Sequence, residues 1–361
     1  MKRLFAGTAA ILAAVLFLSC PARAISARKA ILIDGQTGRV LYEKQADEKS
    51  LIASTTKIMT ALIVCEQCNV LDRMRIPKEA VGIEGSSIYL QEGEVLTLQE
   101  LLYGMMLHSG NDAATALAIY CGGTVEGFAA MMNDKARMLK MNHSHFVNPH
   151  GLDAPDHYST ARDLAILARY AMENPIFAQT VSTKTVTVGQ RTFSNHNKLL
   201  WRVEGADGVK TGYTKAAGRI LVSSAQRQER RLIAVTIEDG NDWADHAALY
   251  EQGFERFHIE QIVSKGQILG RLPVFGGVID SVDLIAAEDF SYTLMEDETI
   301  TIRLSQKNMA FAPVVQGADA GFAYLCIGDQ PVGKVRLEYA QTVEQIPSNE
   351  KKKHWIPFFG E

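Results

Sequence analysis

The chain of 361 residues has five cysteines, and little stands around them. Cys65 and Cys68 form a C-x-x-C, a spacing used in redox chemistry or in half of a zinc site. No second C-x-x-C exists to complete a zinc site, and the pair lies in an apolar helical run. Buried small hydrophobes or a structural disulfide are the expectation. Four histidines, His143, His145, His150 and His157, cluster without the spacing of a zinc site, so loop or capping roles are expected and no metal or other cofactor. There is no basic stripe and no RNA-binding motif. Lys and Arg total 37 against 41 Asp and Glu, a net charge of −4, which argues against nucleic acid. There is no internal repeat, and no membrane-spanning run after residue 25.

With 47% hydrophobic and 22% charged residues, the chain is of ordinary globular composition, with room for two or more domains. Its first residues read as a leader (1–24): a basic "MKR", an apolar "LFAGTAAILAAVLFL", and "ARA" at 22–24 with small residues where a signal peptidase cuts. The mature chain is expected to begin near Ile25. Two alternatives remain, a lipidated Cys20 in "FLSC" and an uncleaved membrane anchor. Each places the protein outside the cytoplasm, in the cell envelope, either in a periplasm or on the outer face of the cytoplasmic membrane.

"KAILID" and "RVLYEK", separated by "GQTG", predict a hairpin. From about 51 to 175 helical patterns dominate. "STTKIMTALIVCEQ" is apolar nearly all round, the mark of a central buried helix, and Thr97 with Glu100 makes a capping box at the start of another. Strand patterns return at "TKTVTVGQRTFSN", "DGVKTGYT", "GRILVSSAQ" and "RRLIAVTIE", before the amphipathic "DWADHAALYEQGFERF". Strands at both ends around a helical middle predict an α+β unit: one antiparallel sheet flanked by helices, with a helical lobe inserted. After residue 258 short strands broken by turn residues predict a second, all-β, sandwich-like domain (259–345). The tail (346–361), "NEKKKHWIPFFGE" at its end, is basic and then aromatic. It reads as a disordered terminus or as a peripheral membrane contact.

Ser54 and Lys57 are three residues apart at the head of the apolar helix, so they share a face. A capping serine and a snorkelling lysine would explain them. Two further stretches change that reading: "LHSGNDAA" contains Ser109-Gly110-Asn111, and "DGVKTGYT" contains Lys210-Thr211-Gly212 in a strand. S-x-x-K, S-x-N and K-T-G in this order form the motif set of penicillin-binding proteins and serine β-lactamases. The chain also resembles the low-molecular-mass D-alanyl-D-alanine carboxypeptidases in "ILIDGQTGRVLYEKQADE", "GSSIYLQEGEVLTLQELLYGMMLHSGNDAA", "NPHGLDAPDHYSTARDLA" and "NHNKLLW". The resemblance runs from about Lys29 to Gln345. It implies a penicillin-binding, transpeptidase-like domain (25–258) followed by a β-domain. The implied activity is removal of the terminal D-alanine from peptidoglycan pentapeptides, with acylation by β-lactams.

The residues themselves suggest the chemistry. A serine hydroxyl needs a base, and no His-Asp pair is recognisable. Lys57 can serve if neutral. Bringing it from about 10.4 to near neutrality takes roughly three pH units, about 4 kcal/mol. Apolar neighbours such as Ile58 and Met59 push that way, and the charge of Lys210 pushes further. Ser54, at a helix N-terminus, gains from the dipole. The resemblance implies the remaining roles. Ser109 relays the proton to the leaving amine, and Asn111 orients the substrate carbonyl and Lys57. Lys210 and Thr211 meet the terminal carboxylate, and Gly212 lets the substrate lie along the strand edge. The N–H groups of Ser54 and Tyr213 form an oxyanion hole. The family often has histidine where this chain has Tyr213, so pH dependence can differ.

Two other readings compete. A class A β-lactamase shares the motifs but uses a glutamate for deacylation, and no Asp or Glu occurs between Asp134 and Asp153. A non-catalytic penicillin sensor would normally carry a transmembrane signalling segment.

Overall fold

The computed structural model describes residues 24–305 and 307–347. The expected leader, apart from Ala24, and the tail, apart from Ile346 and Pro347, lie outside the described residues. Cys20 lies outside them too. The described chain forms two compact units that divide between Phe254 and Glu255.

The first unit opens with the hairpin β1 (Lys29–Asp34) and β2 (Val40–Lys44), as its sequence predicts. A 3-10 turn (Ala53–Thr56) leads into α1 (Lys57–Gln67). The short strands β3 (Arg73–Arg75) and β4 (Val95–Thr97) pair with each other. The helical lobe holds α2 (Leu98–Leu107), α3 (Asn111–Gly122), α4 (Val125–Met138), α5 (Ala161–Ala171) and α6 (Pro175–Ser182). Then come β5 (Thr185–Val188), β6 (Arg191–Ser194) and α7 (Leu199–Arg202). The long strands β7 (Ala206–Thr214), β8 (Gly218–Arg227) and β9 (Arg230–Ile237) precede α8 (Asp242–Arg256).

The main sheet runs β2-β1-β9-β8-β7, antiparallel throughout, and is assembled from both ends of the unit as expected. "TKTVTVGQRTFSN" departs from expectation: β5 and β6 pair only with each other, outside that sheet.

Alternation along the strands explains the layers. On β1, Ile31 and Ile33 enter the core shared with the helical lobe. Ala30 and Leu32 enter a second core with Leu249 and Tyr250 of α8. Strand β9 splits likewise, with Ile233 and Val235 to the first core and Leu232 and Ala234 to the second. Both faces are covered, so these strands read as nearly continuous apolar runs. Helix α1 is buried from Lys57 to Cys65 and lies at the centre of the first core. Thr97 caps α2 through the reciprocal bonds with Glu100 that the sequence predicts.

Cys68 is disulfide-bonded to Cys121, so the C-x-x-C does not close on itself. Cys65 is free and buried, and burial followed by the charge of Glu66 pushes its thiol up to about 12, which makes it a small hydrophobe.

The second unit is all-β. Strands β10 (Phe257–Val263) and β13 (Phe290–Met295) pair with each other. A six-stranded sheet is formed by β11 (Ile268–Phe275), β12 (Ser281–Ala286), β14 (Ile300–Ser305), β15 (Ala310–Phe311), β16 (Asp319–Ile327) and β17 (Gln330–Tyr339), in the order β14-β16-β17-β12-β11-β15. Alternation on β12 buries Val282, Leu284 and Ala286. The boundary expected at 258/259 falls inside β10, where only Phe257 and Val263 are buried and the residues between them are too polar to read as a strand. Among the described residues no helix is long and apolar enough to cross a membrane.

Candidate active site

Ser54 lies in the 3-10 turn rather than in the α-helix. The Thr55 amide donates to the Ile52 carbonyl at 3.1 Å, and the Thr55 hydroxyl donates to the same oxygen at 2.5 Å. This local bonding competes with an α-helical start. Ala53 is left-handed at φ 44°, a conformation held for a non-glycine residue only where its surroundings enforce it. One enforcer is Gly151 (φ 88°), because a Cβ there would overlap the Ala53 carbonyl oxygen.

The turn aims Ser54 at Lys57, with Nζ 3.0 Å from Oγ. Lys57 is fully buried. Its Nζ also donates to Asn111 Oδ1 at 2.7 Å and to the His150 carbonyl at 2.7 Å. Both are obligate acceptors, so a neutral amine spends its two N–H bonds on them and turns its lone pair to Ser54 Oγ. Burial holds the Lys57 amine well below its usual value, the charge of Lys210 lowers it further, and Asp112 opposes them. This is the direction a base requires. His150 and His157 are pushed down to about 3 and about 4, mainly by burial, and stay neutral near pH 7. His157 Nε2 lies 2.8 Å from Thr56 Oγ1, steadying the turn.

Ser109 links α2 to α3 in a left-handed conformation (φ 65°), and Asn111 is the first residue of α3. The Asn111 side-chain amide donates to the Glu84 carbonyl at 2.6 Å, which fixes its flip and points Oδ1 at Lys57. Asp112, next to it, is buried and accepts from the Ser87 hydroxyl and the Ile88 and Leu90 amides, pinning residues 87–90.

Strand β7, at the sheet edge, carries Lys210, Thr211, Gly212 and Tyr213. A Cβ on Gly212 would stand 3.2 Å from the Ile52 carbonyl and from the Thr55 amide. Glycine here lets the strand close on the nucleophile's own turn, a role the sequence does not reveal. Lys210 is 1% exposed, its Nζ donates to the Thr211 carbonyl at 2.9 Å, and burial pushes it down to about 7. It is therefore a buried neighbour of the site and not an open cation.

A cavity of about 360 Å³ opens over these residues. Ser54, Ser109, Thr211, Gly212 and Tyr213 line it, with Ser86, His196, Lys198, Arg219, Asp242 and Trp243. The sequence alone does not mark the last six. Asn195 and Asn197 anchor the "NHN" loop to the Val181 and Gly208 carbonyls, and His196 and Lys198 alternate with them toward the cavity. Arg219, opposite Tyr213 in the β7–β8 register, is held by Asp242 through Nε at 3.1 Å and Nη2 at 2.7 Å, and its guanidinium lies 5.7 Å from the Trp243 ring. Such contacts join β8 to the start of α8, so no linear motif displays them.

Because the charge of Lys210 lowers Lys57, its removal lets Lys57 keep its proton to higher pH. Lys210→Ala is expected to move the acid limb of acylation upward in pH. Acylation rates with a fluorescent penicillin, measured from pH 5 to 9, would read the change. An unmoved limb would mean that the two lysines do not sense each other.

A serine on a strained turn, a desolvated lysine, and a cleft between a sheet edge and a helical lobe define the class of penicillin-recognising serine enzymes. The family model for D-alanyl-D-alanine carboxypeptidases (peptidase S11) matches residues 17–241, and that for the penicillin-binding protein 5 C-terminal domain matches 257–345. The chain belongs to this D-alanyl-D-alanine carboxypeptidase family. It is 32% identical over 313 residues to D-alanyl-D-alanine carboxypeptidase DacF of Bacillus subtilis, covering 82% of this chain and 80% of that one. The structure of penicillin binding protein 5 from Haemophilus influenzae superposes with a TM-score of 0.78 at 27% identity, covering 89% of this chain and 98% of that one. Penicillin binding protein 6B from Escherichia coli gives 0.71 at 29% identity, covering 87% and 96%.

Proposed function

We propose that the protein is a serine D-Ala-D-Ala carboxypeptidase that removes the terminal D-alanine from peptidoglycan pentapeptide stems, and that β-lactams acylate the same serine. The observation that carries this reading is the contact of Lys57 Nζ with Ser54 Oγ, Asn111 Oδ1 and the His150 carbonyl.

Neutral Lys57 takes the Ser54 hydroxyl proton as Oγ attacks the penultimate D-alanine carbonyl. Negative charge on that oxygen is met by the Ser54 and Tyr213 amides. The proton passes through Ser109 to the leaving amine as the C–N bond breaks and D-alanine departs. Water then hydrolyses the ester, with Lys57 again as base. The terminal carboxylate meets the Thr211 hydroxyl, and with Lys210 buried, the cavity wall offers it Lys198 and the Arg219 guanidinium, whose charge is shared with Asp242. Lys210 acts on Lys57 instead. No carboxylate contacts Lys57 Nζ among the described residues, and its third partner is a backbone carbonyl. This favours a carboxypeptidase over a class A β-lactamase.

Export to the cell envelope is part of the same proposal. It rests on the basic, apolar and small-residue pattern of residues 1–24 and on the location of the substrate. A membrane contact through the basic-aromatic tail rests on its sequence alone.

The deciding experiment measures D-alanine release from diacetyl-Lys-D-Ala-D-Ala beside turnover of nitrocefin. Fast release with slow nitrocefin turnover is expected, and the reverse would make the protein a β-lactamase. Arg219→Ala should lower kcat/KM on the free acid about ten- to hundredfold, the value of one charge-assisted contact. It should lower it much less on the C-terminal amide, and equal losses would remove Arg219 from carboxylate recognition.

A further inference from the structure

Around the start of α8, two carboxylates outside the cleft are left incomplete. Asp239 and Asp245 are each 1% exposed. The Ser26 hydroxyl joins them, 3.2 Å from Asp239 Oδ1 and 2.8 Å from Asp245 Oδ2. Asp245 Oδ2 also accepts from the Ser26 amide at 2.6 Å and the Ala27 amide at 3.0 Å, and Asp239 Oδ1 accepts from the Asn241 amide at 2.9 Å. The Thr236 side chain also faces Asp239. Among the described residues the other two oxygens, Asp239 Oδ2 and Asp245 Oδ1, are buried without a close hydrogen-bond partner. Nearby cations are engaged elsewhere: Arg28 and Lys29 with Glu238, Arg219 with Asp242, and Lys44 with the Ile25 carbonyl. Tyr42 faces Asp245 from β2, and burial followed by that charge raises its hydroxyl. Proximity without a cation is unfavourable for two buried carboxylates.

We infer that the Asp239–Asp245 pair is the receptor for the α-ammonium of Ile25, created when the leader is cut after Ala24. This inference rests on reading residues 1–24 as a cleaved leader. Hydrolysis of the Ala24–Ile25 bond consumes one water. It leaves a carboxylate on the leader and an amine on Ile25, and that amine is protonated near neutral pH. Ile25 is already seated. Its side chain is buried in the core with Ala27, Leu249 and Tyr250, and Lys44 Nζ holds its carbonyl at 3.1 Å. One residue spans at most about 3.6 Å, so the Ile25 nitrogen stands one residue from an amide that touches Asp245. An uncut peptide brings one N–H and no charge to this place. A terminal ammonium brings three donors and a positive charge to two waiting oxygens. Processing thereby ties the mature N-terminus to the first turns of α8, the segment whose Asp242 holds Arg219 at the cleft.

The test uses the full chain exported by a bacterial host. Its intact mass gives the first residue, and a start other than Ile25 overturns the inference without touching the carboxypeptidase reading. The pH dependence of labelling by a reagent selective for α-amines then gives the ammonium's own titration, whatever its accessibility. A free terminus titrates at about 7.7–8.0. The docked one is expected above about 9, at least tenfold tighter in proton binding. Asp245→Asn or Asp239→Asn should return it toward 8, and either suffices if the other fails to fold. A raised amine pKa stabilises the fold below about 8 and loses that contribution as pH rises through the folded value. Thermal stability of the wild type should accordingly fall between pH 8 and 10 more steeply than that of the aspartate variants. An ordinary titration in the wild type, or a raised one that neither variant alters, overturns the inference.

Discussion

Ser54→Ala is expected to abolish covalent labelling by a fluorescent penicillin and to lower D-alanine release by roughly 10⁴- to 10⁶-fold, the scale of removing a nucleophile from an acyl-transfer site. Stability should change by no more than about 1 kcal/mol, the worth of one hydrogen bond. The side chain is half-buried, and Lys57 keeps the Asn111 and His150 acceptors. Gel fluorescence and thermal melting on the same sample separate the two effects. Labelling that persists in a folded variant would move the nucleophile to another residue, and Ser109, in the same cavity, would be the first to test.

Lys57→Ala is expected to slow acylation by roughly 10²- to 10⁴-fold, the usual contribution of a general base. Lys57→Arg should not restore it. A guanidinium keeps the charge but cannot give up its proton, and its planar fork does not fit among three partners arranged about one ammonium-sized atom. If lysine worked only as a cation opposite the developing oxyanion, arginine would retain much of the rate. Stopped-flow acylation of the two variants decides between base and cation. Near-normal acylation by Lys57→Arg would end the base assignment. Melting curves should accompany the kinetics, because Lys57→Ala leaves the Asn111 and His150 oxygens short of a donor inside the core.

The sequence made part of this site legible and concealed the rest for physical reasons. Ser54 with Lys57, and Ser109 with Asn111, are close in sequence because one turn or one helix start presents both members. Their spacing is a local matter and can be read directly. The hairpin β1–β2, the buried α1 and the Thr97 cap are legible for the same reason. The surroundings of Lys210 are different. A lysine in a strand reads as exposed, and only the fold shows it 1% exposed with its Nζ turned to its neighbour's carbonyl. The His150 carbonyl is a main-chain atom 93 residues from Lys57, and any side chain could accompany it. The disulfide partner of Cys68 is 53 residues away on another helix. Strands β5 and β6 have the right alternation for the sheet, but alternation specifies a strand and not its neighbour.

The placement of β7 has a consequence for solubility. An edge strand offers unpaired backbone groups on which another molecule's strand can grow, and proteins usually blunt such edges with charge, proline or a covering segment. Here the edge carries Lys210–Tyr213 and, in the function proposed above, receives an extended peptide. The fold narrows it from both sides. The Asn197 side chain occupies the Gly208 carbonyl, and the 3-10 turn of Ser54 closes on Gly212. The gap between them is short: Thr211 is half-buried and Tyr213 exposed, while Lys210 and Gly212 are buried, so little edge is left for a second copy of the chain to continue. Lengthening that gap, for instance by loosening the Asn195–Asn197 loop, should bring strand-by-strand aggregation before it brings loss of the active site.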